Sequence, residues 1–207
     1  ATQSQARSWY SPSDLTTFAE SPWVSWLERL AREVPSHRLV GEADAPDAFL
    51  QMLGRKGDES EAAVLSAIRA QGQSIIDLSD VRGSPPERVA ATAHALAAEP
   101  DVIYQAPLSS SSRFFGVADF LVRIDAGERD GPRLPAQYMV WDAKLSRSPR
   151  ASQVLQLCCY AEMLTELQGV PVERVGLILG STPLELRVSA YSAVYRRTKA
   201  RFLAAQA

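Results

Sequence analysis

The chain has 207 residues, 46% hydrophobic and 22% charged, with 22 Lys and Arg against 24 Asp and Glu and a net charge of −2. This composition excludes disordered, collagen-like and low-complexity classes, and the charge balance excludes a uniformly basic nucleic-acid coat protein. A nucleic-acid enzyme stays open, because its positive charge need only be local. A chain of this length buries roughly 70% of its unfolded surface and folds without a disulfide or metal staple, so residues 1–207 read as one domain. The two cysteines, Cys158 and Cys159, are adjacent. That disfavours a mutual disulfide and leaves too few thiolates for a zinc or iron–sulfur site. They read as small buried thiols of a reducing compartment. With no run of 18 apolar residues and no basic-then-apolar leader, the expectation is a soluble cytoplasmic protein.

Ser11-Pro12-Ser13-Asp14 has the pattern of a capping box, and the apolar stripe from Leu15 to Leu30 continues it as a helix that Pro22 must kink or split. Residues 35 to 56 read as an acidic, irregular connection with one helical turn near Phe49 to Leu53. A helix follows from Gly57 to Ala70, then a short strand from Ser74 to Leu78. Ser84-Pro85-Pro86-Glu87 opens an alanine-rich helix that stops near Pro100. The period then changes from helical to extended. Asp101 to Leu108, Phe114 to Ile124 and Ala136 to Lys144 read as strands, the last two joined as a long hairpin by the turn-rich segment Ala126 to Pro132. A helix from about Ser152 to Leu167, two strands (Val175 to Leu179, Leu184 to Val188) and a final helix from Tyr191 complete the chain. This order predicts an α/β fold, a central mixed β-sheet flanked by helices. The final helix has no C-cap glycine, as expected of a fragment of a longer chain.

Two carboxylates stand where the sequence is otherwise apolar. Asp119 interrupts Gly116-Val117-Ala118-Asp119-Phe120-Leu121-Val122, and Asp142 and Lys144 interrupt Tyr138-Met139-Val140-Trp141-Asp142-Ala143-Lys144. A buried carboxylate loses several kcal/mol of hydration unless it is paired or bound to a cation. Strand period places Asp142 and Lys144 on one face, and pairing of the two runs would bring both carboxylates and the ammonium together. Such a set can bind Mg²⁺ or Mn²⁺, activate a water and stabilise an attacked phosphate. Read alone, Asp-x-Lys fits a structural ion pair better. On the following helix Gln156 and Tyr160 share a face at i, i+4, beside Gln153.

Gly116-x-x-Asp119, Asp142-x-Lys144 and Gln156-x-x-x-Tyr160 together resemble the RecB-like branch of the PD-(D/E)XK nuclease superfamily. The opening Tyr10-Ser11-Pro12-Ser13-Asp14-Leu15 is similar to the N-terminal module of RecB-family nucleases related to a CRISPR-associated nuclease. The likeness runs from about Tyr10 to Tyr195. It implies a restriction-endonuclease-like core and a divalent-metal-dependent deoxyribonuclease, an exonuclease by preference, of the kind that serves DNA repair. Single-stranded or end-bearing DNA is the implied substrate. Asp119 and Asp142 would be metal ligands with the Ala143 carbonyl, Lys144 the catalytic lysine, and Gln156 and Tyr160 the motif near DNA. It also implies a partner domain outside this chain, RNase H-like or a helicase.

Two departures stand out. Relatives carry Gly-x-x-His-Glu on an early helix, whereas Gly57-Asp58-Glu59-Ser60-Glu61 has Ser60 at the histidine position and keeps Glu61, which can substitute as a ligand. Ser21-Pro22 stands where cluster-bearing relatives have cysteine before proline, so no iron–sulfur cluster is expected. His37 and His94 read as surface or packing residues. Trp9 and Tyr10 are candidates to stack on bases, while Trp23 and Trp26, at helical spacing, read more simply as core. Arg133, Lys144, Arg147 and Arg150 against Asp142 give a local charge of +3. Arg187, Arg196, Arg197, Lys199 and Arg201 give +5. Arg147 and Arg150, with Tyr160, are therefore the expected DNA contacts. The rivals are a DNA-binding module that keeps the fold and cleaves weakly, favoured by Ser60, and an unrelated α/β domain with a buried ion pair.

Overall fold

The computed structural model describes residues 9–41, 47–124 and 135–206. Among them are six helices and six strands: α1 (Pro12–Glu20), α2 (Pro22–Glu33), α3 (Ala48–Ala70), β1 (Ile75–Asp77), α4 (Pro85–Ala97), β2 (Val102–Ser109), β3 (Phe115–Ile124), β4 (Gln137–Lys144), α5 (Ala151–Gln168), β5 (Arg174–Leu179), β6 (Thr182–Arg187) and α6 (Val188–Gln206). The strands form one mixed sheet in sequence order, and the fold is α/β. β2, β3 and β4 are an antiparallel meander. At either end a helix carries the chain to a parallel neighbour, α4 between β1 and β2 and α5 between β4 and β5. β6 closes one edge, antiparallel to β5.

Local sequence sets these boundaries. The Ser11 hydroxyl accepts from the Asp14 amide at 3.0 Å, and the Asp14 carboxylate accepts from the Ser11 amide at 2.8 Å. Both partners of the predicted capping box are thus present. Ser84 and Glu87 start α4 alike, the Ser84 amide donating to Glu87 Oε2 at 2.8 Å. The expected break at Pro22 separates α1 from α2, with Ser21 ending one helix and capping the next. α5 ends at Gly169, whose φ of 74° is the left-handed conformation glycine adopts without penalty.

The segment expected as an irregular connection is corrected. Residues 48–56 belong to α3, which runs unbroken for 23 residues through Gly54 and Gly57. Each glycine weakens a helix by about 1 kcal/mol relative to alanine, and tertiary packing of the second half overrides that local cost. The expected turn Ala126 to Pro132 and Arg133 lie outside the described residues.

The two faces of the sheet are covered unequally. α1, α4, α5 and α6 supply one large core with Leu15, Phe18, Leu157, Leu164 and Phe202 against Ile103, Leu121, Tyr138 and Val140. α3 supplies a smaller cluster on Val102 and Phe120, through Leu65 with Val64 and Ile68. Trp141 belongs to both, and its indole lies directly over Gly176, its register partner on β5. A Cβ at 176 would stand 2.1 Å from that ring. Trp23 and Trp26, expected in the core, instead stack on one another on the outside of α2, with Trp23 59% exposed. The apolar stripe of α2 finds little of the domain to pack on, its one buried residue being Ser25. Gly176→Ala should destabilise the protein by about 1–3 kcal/mol through overpacking against a ring that has no free space. Urea unfolding measures this, and an unchanged midpoint would mean that the indole moves aside freely.

Candidate active site

The β3–β4 ladder runs from Ile124↔Gln137 to Phe120↔Trp141 and stops there. One level further, Asp119 and Asp142 would face each other. Instead the strands part, and Asp119 Oδ2 accepts the Ala143 amide proton at 3.0 Å. Lys144 Nζ straddles the Asp142 carboxylate, 2.8 Å from each oxygen. The expected convergence of Asp119, Asp142 and Lys144 is therefore present, from pairing of the two runs.

Asp119 reaches this position through a break in pleat alternation. On β2, Val102 and Tyr104 pack toward α3 and Ile103 toward the opposite face, yet beyond Gln105 both Ala106 and Leu108 lie with Ile103. On β3, Phe120 and Val122 face α3, but Ala118 lies with Leu121 on the other side. Register nevertheless carries straight across, from Tyr104↔Phe120 to Ala106↔Ala118. Each strand thus holds one extra residue at the same level, Gln105 on β2 and Asp119 on β3. Both sides of the ladder lengthen together, which keeps the pairing and exchanges the faces.

Helix α3 adds the third carboxylate. Glu61 Oε1 accepts from the Gln105 side-chain amide at 2.5 Å, and the Tyr104 side chain lies beside it. Glu61, Asp119, Ala143 and Lys144 line an open pocket of about 530 Å³, whose walls include Leu53, Gly57, Asp58, Leu145, Arg150 and Gln153. Arg150 stands at the start of α5, where its amide donates to Gln153 Oε1 at 2.9 Å. Gln153 in turn donates to Ser146 Oγ at 3.1 Å, tying the loop after β4 to the helix.

Burial governs the electrostatics. It pushes the Asp119 carboxyl up to about 7, helped by the neighbouring Asp142 charge and opposed by Lys144. Asp142, only 3% exposed, is also raised by burial, with Lys144 pulling the other way. Glu61 is raised by burial and by Asp119. Lys144 is raised too: burial works against its charge, but Asp142, Asp119 and Glu61 together outweigh that. The lysine therefore holds its proton, while the carboxylates crowd one another.

Crowded, half-desolvated carboxylates are the donor set a hard divalent cation takes. Asp142 Oδ2 is buried and accepts no hydrogen bond, although the Lys144 ammonium lies beside it. Among the described residues no three Asp, Glu, His or Cys side chains are already gathered as a ligand set. The residues fit Mg²⁺ or Mn²⁺ on one condition, that Asp119 and Asp142, aided by Glu61, share the ion with water, as Mg²⁺ in particular tolerates.

Other expected residues fall elsewhere. Tyr160, expected near DNA, is instead packed in the core. It is 6% exposed, its hydroxyl donates to the Val117 carbonyl at 2.8 Å, and its ring closes against Gly116, where a Cβ would meet that hydroxyl at 2.9 Å. The Gly116 and Tyr160 motifs are thus two halves of one contact. Gln156 lies beside the Tyr160 hydroxyl and does not line the pocket, whereas Gln153, one turn earlier, does. Arg150 lines it, while Arg147 is exposed outside its lining. Ser60 is half-buried and also outside the lining. His94 is exposed on α4, and His37 Nδ1 accepts the Leu39 amide. Cys158 and Cys159 are free, buried thiols, raised by burial to about 11 and 12. Of the C-terminal cations, Lys199 is paired with Glu162, and Arg196, Arg197 and Arg201 face solvent on α6. Sequence reasoning missed Gln105 and Tyr104. The signal was a lone amide inside an apolar strand.

No protein-family model matches the sequence, and no curated protein matches it.

A carboxylate raised in the fold is protonated there at a pH where the unfolded chain would ionise it. The penalty is absent below about pH 4, grows as pH rises, and is complete above about 7. Asp119→Asn keeps an oxygen for the Ala143 amide and removes that penalty. The variant should be more stable than the wild type by about 1–3 kcal/mol at pH 8, with the gap closing toward pH 4 in urea titrations. A variant less stable at pH 8 would show that the ionised carboxylate is fully satisfied in the fold.

Proposed function

We propose that this protein is a divalent-metal-dependent DNA nuclease, hydrolysing phosphodiester bonds in single-stranded or end-bearing DNA on a restriction-endonuclease-like core. The observation that carries the reading is the convergence of Asp119, Asp142 and Lys144 at the end of the β3–β4 ladder, with Glu61 beside them at the edge of an open pocket. A bound Mg²⁺ or Mn²⁺ would supply an activated water and a clamp on the phosphate oxygens. Asp119 and Asp142 would hold it, with Glu61 and the Ala143 carbonyl as further oxygen donors.

Lys144 keeps its proton, so its part is electrostatic: the ammonium faces the phosphate and offsets charge that grows in the transition state. Asp142 holds that ammonium through a hydrogen bond to Oδ1, with Oδ2 at the same distance. Arg150 and Gln153, which line the pocket, would bind the next phosphate or sugar along the strand, the role the resemblance implied for Gln156 and Tyr160. Gln153 is oriented for this by its bonds to the Arg150 amide and Ser146. A DNA-binding module with weak cleavage is the second reading. Ser60 in place of histidine and the absence of a gathered three-residue ligand set among the described residues favour it.

An end-labelled single-stranded oligonucleotide should be cleaved in Mg²⁺ or Mn²⁺ and left intact in EDTA. Asp142→Asn should abolish cleavage while the thermal midpoint stays within a few degrees. Lys144→Ala should lower the rate far more than it weakens Mn²⁺ binding. Both variants losing about 3–5 kcal/mol of stability, in a protein that never cleaves, would instead identify a structural ion pair. Wild-type protein that binds DNA but cleaves no form of it with either metal would select the binding module.

A further inference from the structure

Gln105 combines two features that neither packing nor pairing requires. Its φ is +51°, in the left-handed region that favours glycine, inside an eight-residue strand. Glu99 and Arg113, the other non-glycine residues with positive φ among those described, lie between elements. A side chain at such a φ strains the backbone and persists only where the surroundings hold it. Gln105 is also the extra residue of β2, level with Asp119, at the point where both strands exchange faces. With strict alternation its side chain would follow Ile103 to the face away from α3. With the left-handed turn, it reaches Glu61 on α3 and donates to Oε1 at 2.5 Å.

Glu61 needs such a partner. It sits on α3, the one helix among the described residues that covers its face of the sheet, and carries a carboxylate toward Asp119, whose charge repels it. Nothing in helix geometry alone would hold that side chain inward. The Gln105 amide bonds it from the sheet, with the side chain of Tyr104, the neighbouring residue of the same strand, beside it.

We propose that Gln105 is a positioning residue: its strained backbone aims the side-chain amide at Glu61 and fixes that carboxylate as a cation ligand beside Asp119. This rests on the metal-dependent nuclease reading and deepens it by naming what sets the third carboxylate. Partners that orient ligands in this way typically change metal affinity 10–100-fold when removed. The same backbone exacts a cost in stability, so relieving it should move stability and metal affinity in opposite directions.

Gln105→Gly removes both strain and amide. Gln105→Asn tolerates the left-handed conformation but is one methylene too short to reach Glu61. Mn²⁺ titration by calorimetry, thermal unfolding and cleavage of single-stranded DNA should be measured on both variants, on Glu61→Gln and on Glu61→Gln/Gln105→Gly. Both Gln105 variants should melt at or a few degrees above the wild-type temperature, yet bind Mn²⁺ at least about tenfold more weakly and cleave more slowly. In the Glu61→Gln background, Gln105→Gly should have no further effect on Mn²⁺ affinity. Cleaving wild-type protein with Gln105 variants of unchanged Mn²⁺ affinity would overturn the proposal alone. So would variants that melt well below wild type, which would make Gln105 a structural residue. Wild-type protein that binds no Mn²⁺ and cleaves no DNA would overturn the nuclease reading and this proposal with it.

Discussion

The site depends on one electrostatic conflict: two carboxylates, Asp119 and Asp142, are held close together where burial and mutual repulsion both oppose their charge. A single lysine offsets part of this, and the rest is left standing. Natural domains bury such groups rarely and usually pair them fully. Here the surroundings are arranged to keep the conflict in place. The Ala143 amide holds one carboxylate, Lys144 holds the other, and a third carboxylate is brought in by a helix from the far side. Destabilisation of this kind, beside a pocket that Asp119 lines, marks a candidate functional site.

The architecture explains how the conflict is tolerated. Asp119 and Asp142 lie just past the end of the β3–β4 ladder, on strands that also pair with β2 and β5 on their other sides. Phe120↔Trp141 pairing, the indole over Gly176 and the Tyr160–Val117 bond all lie within two residues of a site residue. The large core beneath, built on α5, makes this end of the sheet rigid, which lets two crowded charges hold position instead of drifting into solvent.

Much of this was legible in the sequence, for identifiable reasons. Capping boxes at Ser11 and Ser84 carry their own local chemistry, so α1 and α4 begin where the residues say. The hairpin runs around Asp119 and Asp142 were long, apolar and interrupted only by charges that required company. What could not be read was longer in range. α3 extends through two glycines that argue locally against a helix, and Trp23 and Trp26 have core spacing on a helix whose stripe buries little. Tyr160 looked available because a helix face shows spacing but not what lies against it. The break at Gln105 and Asp119 defeats period-two logic outright, because the sequence holds no sign that both strands lengthen at one level. Of the site, the β3–β4 part is local in sequence and was visible. Glu61 was named only through the resemblance, and its bond to Gln105, 44 residues away, was not visible.

The unequal covering of the sheet has a kinetic side. Asp119, Asp142, Lys144, Arg150 and Gln153 all stand on elements that share the large core, whereas Glu61 rides on α3, attached through the small cluster around Leu65, Val102 and Phe120. Cooperative units with fewer buried apolar contacts open at lower free energy than the body they rest on. α3 is a natural unit to lift from this face of the sheet. Its departure would carry Glu61 out of the site and expose Val102 and Phe120 while the meander and its two aspartates remained folded. Amide hydrogen exchange would then record a sub-global opening of residues 48–70, and the site would lose its third carboxylate well before the protein lost its sheet.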